Sequence, residues 1–120
     1  MSHDLRATFV SLEENDENLV FAFSDDEAGA GKYVIFQCST ISEEGDGLYI
    51  ECDDQPTACY GGVASIRRVG ERLEIDLTEK GRQHMGVEQV LITPLPWTAT
   101  MSEGIARLAD LSRGAYTVER

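Results

Sequence analysis

Gly62-Val63-Ala64-Ser65-Ile66-Arg67-Arg68-Val69, then Gly70-Glu71, then Arg72-Leu73-Glu74-Ile75-Asp76-Leu77 is the stretch on which the fold turns. Two runs of strand-forming residues flank a two-residue connection with glycine first, the arrangement that a type II′ hairpin turn requires. In the second arm Leu73, Ile75 and Leu77 alternate with Glu74 and Asp76. One face is therefore buried and the other wet, as in an antiparallel sheet.

The same period of two recurs on both sides of this hairpin. Leu5–Leu12 reads as a strand with Thr8, Val10 and Leu12 on one face, and Asn18–Ser24 as a strand with Leu19, Phe21 and Phe23 on one face. Tyr33–Ser39 and Gly47–Cys52 follow, rich in β-branched and aromatic residues. Downstream, Thr78 is the expected N-cap of a short helix over Glu79–Met85 that Gly86 closes, with Glu79 near its positive end and Arg82 and His84 near its negative end. Val87–Ile92 reads as a strand stopped by Thr93-Pro94-Leu95-Pro96, because proline cannot donate to a ladder. Ser102 is the expected cap of a second helix, carried by Ile105, Leu108, Ala109 and Leu111 and ended by Gly114. Ala115–Arg120 fits either a last strand or a tail. The class is α+β: mostly antiparallel β-sheet with one or two short helices packed against it. At 120 residues the chain is expected to form one domain over 1–120, with 114–120 the segment that could trail from it.

Charge is distributed unevenly. Residues 1–60 carry fourteen Asp and Glu against Arg6 and Lys32, whereas residues 61–120 carry eight acids and eight bases, so the formal net charge of −12 belongs to the first half. The acids cluster beside strand-like runs, at Glu13-Glu14-Asn15-Asp16-Glu17, Asp25-Asp26-Glu27, Glu43-Glu44-Gly45-Asp46 and Glu51-Cys52-Asp53-Asp54. An acidic side speeds encounter with a basic partner and repels nucleic acid and anionic membranes. Nucleic-acid binding is excluded on that ground. Arg67-Arg68 is the only adjacent basic pair and lies inside the hairpin, where it reads as a wet strand edge. No apolar run approaches the roughly 20 residues that cross a bilayer, and Met1-Ser2-His3-Asp4-Leu5 does not open a signal peptide. A soluble, cytoplasmic protein is expected. Three cysteines, Cys38, Cys52 and Cys59, in or beside strand-like segments fit packed thiols in a reducing compartment better than disulfides.

Chemistry is hard to place on this chain. Gly29-Ala30-Gly31-Lys32 is similar to the end of a phosphate-binding loop, but Asp26 stands where its first glycine belongs and Tyr33 where a Ser or Thr would reach magnesium. It reads instead as a connection between strands. Cys52 and Cys59 are not spaced as zinc ligands, and His3 and His84 lie far off. Asp53-Asp54 lacks the rhythm of a calcium loop, and the chain has no Gly-x-Ser-x-Gly elbow. No metal and no cofactor are expected, and no catalytic residue is assigned.

One ordered set of motifs stands out. Gly47-Leu48-Tyr49-Ile50-Glu51-Cys52-Asp53-Asp54-Gln55 is followed by Tyr60-Gly61-Gly62-Val63 and then by the hairpin. Together with Phe21-Ala22-Phe23-Ser24-Asp25-Asp26-Glu27, Tyr33-Val34-Ile35-Phe36-Gln37 and Arg72–Leu77, this resembles the immunity protein ten family of bacterial polymorphic toxin systems, over roughly residues 5–92. Pro94–Met101, with Trp97, and the last residues follow the family pattern less closely. The resemblance implies a small acidic protein that neutralises a cognate toxin domain by stoichiometric binding, without being an enzyme. The acidic side makes that partner an expectedly basic one. The candidate partner-binding residues are Asp25, Asp26, Glu43, Glu44, Asp46, Glu51, Asp53, Asp54 and Tyr60. A structural reading stands beside this one, in which Gly61-Gly62 permits a bulge, Tyr60 packs and Asp53–Gln55 makes a turn. Two other functions fit the composition: a small carboxylate-based hydrolase, marked by a pocket holding two acids of different pKa, and an acidic adaptor subunit that docks a basic protein. Oligomeric state is not readable from the sequence.

Overall fold

The computed structural model describes residues 2–26, 31–41 and 48–119, with the backbone alone for 54–57. Ten strands and two helices are described: β1 (Ser2–Ala7), β2 (Phe9–Glu14), β3 (Asn18–Ser24), β4 (Tyr33–Ser39), β5 (Tyr49–Cys52), β6 (Asp54–Tyr60), β7 (Val63–Val69), β8 (Arg72–Leu77), α1 (Glu79–Met85), β9 (Gln89–Pro94), α2 (Ala99–Asp110) and β10 (Thr117–Glu119). The strands form two five-stranded sheets. Sheet A has the order β1-β9-β8-β7-β10 and sheet B the order β2-β3-β4-β5-β6. Sheet B is antiparallel throughout, a meander of consecutive neighbours, while sheet A is parallel at its two flanks, β1 on β9 and β10 on β7. The α+β class expected from the sequence holds.

The strands whose observed limits match the reading are β3, β4 and β8. Leu19, Phe21 and Phe23 are buried together with Val34, Phe36, Leu73, Ile75 and Leu77. Both sheets contribute to one buried cluster, in which the Phe21 and Phe23 rings lie 4.5 Å apart and Phe23 meets Phe36 edge-on at 6.0 Å. Burying one such side chain stabilises the fold by about 1.5–3 kcal/mol. At the central hairpin Gly70 has φ +64°, and Glu71 is not among the residues with positive φ, as a type II′ turn demands.

Leu5–Leu12 is not one strand. Leu5 and Ala7 are buried on one parity, whereas Val10 and Leu12 face the core on the other. The parity changes at Thr8, where the chain leaves sheet A and enters sheet B, and the Thr8 N–H donates to the Ser24 carbonyl at 3.0 Å. A strand that switches sheets makes a corner of the sandwich. Strand β9 also departs from expectation, because it runs through Pro94 instead of stopping before it. Leu95 N–H donates to Ala7 O at 2.8 Å, so the N–H that Pro94 lacks would face β8, whose pairing with β9 has already ended at Leu73 and Ile92. Similarly, Arg67 is not at a sheet edge, since β10 pairs alongside β7 from Thr117 on Ser65 to Glu119 on Arg67.

Helix α1 forms as its sequence predicts. Thr78 Oγ1 accepts the Gly81 N–H at 3.1 Å, and Gly86 closes the helix with its N–H on Arg82 O. Helix α2 begins one turn before the predicted cap: its N-cap is Thr98, and Ser102 lies inside it, accepting the Trp97 indole N–H at 3.1 Å. Its buried stripe is Met101, Gly104, Ile105 and Leu108, an i, i+3, i+4, i+7 series laid on sheet B. Gly104 allows that approach, since a Cβ there would stand 2.3 Å from the Phe21 ring. At the far end of α2 the Arg107 guanidinium makes two 2.8 Å bonds to the Glu14 carboxylate of β2, and Tyr116 donates its hydroxyl to Leu108 O at 2.7 Å. The Arg107 bonds hold the Glu14 carboxyl below its ordinary pKa.

Candidate functional site

The two sheets turn very different faces outward. On sheet A, Arg67 meets Glu74 at 3.3 Å and Asp76 at 3.2 Å, Arg72 meets Glu74 at 2.5 Å, and Ser65 and Gln89 both donate to Asp76. These charges pair with one another, although Arg67 Nε is buried without a hydrogen-bond partner among the described residues. Arg68, at the hairpin tip, lies 3.9 Å from the centre of the Trp97 ring, a cation–π contact that uses the second member of the basic pair.

Sheet B turns out a different surface. Residues 9–60, the segment holding all of its strands, contain thirteen Asp and Glu and one base, Lys32. The remainder of the chain has nine acids and nine bases, so the whole net charge of −12 belongs to the sheet B segment. Its outward residues nonetheless include many apolar and aromatic ones. In register across the strands, Ser11, Ala22, Ile35 and Glu51 form one row, and Glu13, Val20, Gln37, Tyr49 and Tyr60 form the next. Phe9, Ser24 and Tyr33 form a third. Neither helix covers this face among the described residues: α2 packs on Phe21 from the core side, and α1 sits at the turn between β6 and β7. A hollow of about 520 Å³ opens on it, walled by Phe9, Ala22, Tyr33 and Ile35, with Asp26 and Glu51 among its lining residues.

Glu51 is the polar centre of the face. Tyr33 donates its hydroxyl to Glu51 Oε2 and Tyr49 donates to Oε1, so each carboxylate oxygen is held by a phenol from an adjacent position in the sheet. The bond to Glu51 is the main reason that the Tyr49 phenol is pushed up to about 12, since ionising it would replace a hydrogen bond with a repulsion. Tyr60, 43% exposed, packs its ring 5.1 Å from that of Tyr49.

The expected partner-binding residues are therefore not one cluster. Asp25 and Asp26 follow β3 at one end of sheet B, Glu51 lies in mid-face, and Tyr60 closes β6 beside Tyr49. Glu43, Glu44 and Asp46 lie outside the described residues, as does the side chain of Asp54. Asp53 is occupied within the fold. It takes φ +60° between β5 and β6, its Oδ1 accepts the Tyr33 N–H at 2.8 Å, and its Oδ2 lies 2.7 Å from His3 Nε2 on sheet A. Those contacts put Asp53 at the corner, whereas Asp54 and Gln55, expected to share that turn, belong to β6. The glycines of the Tyr60-Gly61-Gly62 motif also act in the scaffold: Thr78 N–H donates to Gly62 O at 2.8 Å, and a Cβ on Gly81 would come within 2.3 Å of that oxygen.

Phe9, Ala22, Tyr33 and Ile35 were not expected in the site. Their signal is present in the sequence, since β3 and β4 carry apolar residues at both parities, a pattern that means a sheet apolar on both faces. Cys38, Cys52 and Cys59 are buried thiols outside any disulfide, and burial pushes Cys52 up to about 12. Among the described residues no three His, Cys, Asp or Glu side chains converge to hold a metal ion, and no helix is long and apolar enough to cross a membrane.

A search of curated proteins gave no match, and a search of solved structures gave none either. The family model described as Immunity protein 10 matches residues 5–99, which takes in all of sheet B, the central hairpin and α1, and runs past the 5–92 span of the sequence resemblance to include Trp97. With four-fifths of its length inside that match, the chain belongs to the immunity protein 10 family.

Proposed function

We propose that this protein is a single-domain, cytoplasmic inhibitor that neutralises a cognate bacterial toxin domain by stoichiometric binding, and that the outer face of sheet B is its contact surface. One observation carries the assignment of the face: the segment with the whole net charge also bears the apolar, aromatic surface that neither helix covers. Charge there steers a basic partner and sets its orientation, while the aromatic centre supplies desolvated contact area. Asp25, Asp26, Glu43, Glu44, Asp46 and Asp54 act in steering and at the rim, Glu51 and Tyr60 make direct contact, and Asp53 holds the β5–β6 corner in place. A toxin that cleaves nucleic acid would present a basic phosphate-binding surface, and an acidic face competes for it as the nucleic acid does.

The test uses the protein encoded by the adjacent gene as the candidate toxin. Co-expression is expected to rescue cells from it, and a purified activity assay is expected to reach full inhibition at one inhibitor per toxin. Protection far below that ratio means an enzyme that modifies the toxin, and no protection with no complex removes the toxin as partner.

A further inference from the structure

The hollow on sheet B combines three properties that together specify a ligand. Its walls are aromatic and aliphatic, from Phe9, Tyr33, Ala22 and Ile35. Its carboxylate is fixed in advance, because the Tyr33 and Tyr49 hydroxyls hold one oxygen of Glu51 each. A carboxylate has about four acceptor positions. Two remain, one on each oxygen, for a donor pair arriving from the hollow. The groups that hold Glu51 are neutral hydroxyls, so its negative charge is oriented without being cancelled.

We propose that this hollow receives an arginine side chain of the toxin, with the guanidinium paired to Glu51 in bidentate fashion and its plane against the Phe9 and Tyr33 rings. The inference rests on the toxin-neutralising reading and specifies the central contact of that complex. Charge complementarity selects a cation, since residues 9–60 carry thirteen acids to one base and Asp26 also lines the hollow. The walls select arginine over lysine: a guanidinium is planar, weakly hydrated and stacks on aromatic rings, whereas an ammonium is strongly hydrated and would be stripped of water there. Pre-orientation of the carboxylate lowers the ordering cost of binding.

Two measurements test this. In the first, the free protein is titrated with N-acetyl-arginine amide and with its citrulline analogue, which keeps the shape and lacks the charge, while backbone amide shifts are followed by NMR. Saturable shifts centred on Phe9, Ala22, Ile35 and Glu51 are expected, at least ~10-fold weaker for citrulline and lost in Glu51→Gln. Equal response to both probes, or shifts that avoid the hollow, overturns the proposal. In the second, dissociation of the purified toxin complex is timed for Glu51→Gln and for Ala22→Trp, which fills the hollow without changing charge. Each is expected to weaken binding by about 100-fold, mainly through faster dissociation, while Glu13→Gln on the same face does not. Wild-type dissociation in both variants rejects the arginine site and leaves the one-to-one inhibitor standing. A wild-type protein that forms no complex instead rejects the toxin reading, and the arginine titration then judges the hollow alone.

Discussion

Asp53 has a left-handed backbone, φ +60°, at a corner where a side chain usually costs energy. Its carboxylate offsets that cost by bonding to the Tyr33 N–H and by reaching His3 on the other sheet. Asp53→Asn, which tolerates the same backbone and keeps an acceptor for Tyr33, is expected to cost less than about 0.5 kcal/mol, whereas Asp53→Ala is expected to cost about 1–3 kcal/mol. Urea denaturation measures both, and an Ala variant as stable as wild type would free Asp53 from this scaffold role. The buried thiol and the clasped phenol carry a pH dependence of definite sign. Cys52 is raised from 9.0 to about 12 by burial, and Tyr49 from 10.0 to about 12 chiefly by its bond to Glu51. Both folded values lie above the unfolded ones, so the folded state holds these protons more tightly. Their contribution is complete below pH 9 and is lost as the pH rises through 12. The unfolding free energy is expected to fall across that window, with a slope that Cys52→Ala reduces from pH 9 upward and Tyr49→Phe from pH 10 upward, as denaturant titrations at stepped pH will show.

At the level of elements, α2 is set by how closely it approaches sheet B. Replacing glycine by alanine inside a helix ordinarily stabilises it by roughly 0.5–1 kcal/mol. Gly104→Ala is expected to do the opposite, losing about 1–3 kcal/mol, because the added methyl would meet the Phe21 ring. A stabilised variant in thermal or urea melts would mean that α2 does not pack so closely. Ile105, Leu108, Ala109 and Leu111 mark α2 in the sequence, but Ser102 reads as its start because Ser is a strong cap residue by type while Thr98 makes no side-chain cap bond. Ser102 is used for the Trp97 indole, a tertiary bond with no local signature. Runs of strand-forming residues bounded by acidic or glycine punctuation are legible to the residue, as β3, β4 and β8 show, and so is α1 with its Thr78 and Gly86 caps. The switch at Thr8 was hidden inside a continuous strand-like run, although the parity change from Ala7 to Val10 marks it. Strand β10 was undecidable because its pairing with Ser65–Arg67 is long-range. The site was half legible in the same way. Acids announce themselves by type, whereas the Phe9, Tyr33 and Ile35 wall is signalled in the sequence only by apolar residues at both parities, and which parity faces outward follows from the packed sheets.

On the scale of the molecule, the division into sheets is also a division of charge. The nine acids and nine bases outside residues 9–60 cancel, and Arg67 and Arg72 pair with Glu74 and Asp76 on the face of sheet A, so the −12 belongs to the segment that builds sheet B, in a body with extents of 33 × 31 × 27 Å. Packed sheets are separated by about 10 Å, close to the screening length in 0.1 M salt. On the proposed reading, a basic partner approaching from sheet B is expected to feel most of the charge, and one approaching from sheet A a screened remainder. Reversing Asp25, Asp26, Glu43 and Glu44 to Lys is expected to slow association with the toxin by ~10-fold or more at low ionic strength, and to do so less as salt is added. Reversing Glu79, Glu88, Glu103 and Asp110, which belong to the charge-balanced part of the chain, changes total charge by the same amount and is expected to slow it much less. Stopped-flow association rates over a range of salt concentrations separate the two cases. Equal slowing in both quadruple variants would mean that net charge alone governs encounter, and would remove the orientation that an acidic layer is proposed to impose on the approaching toxin.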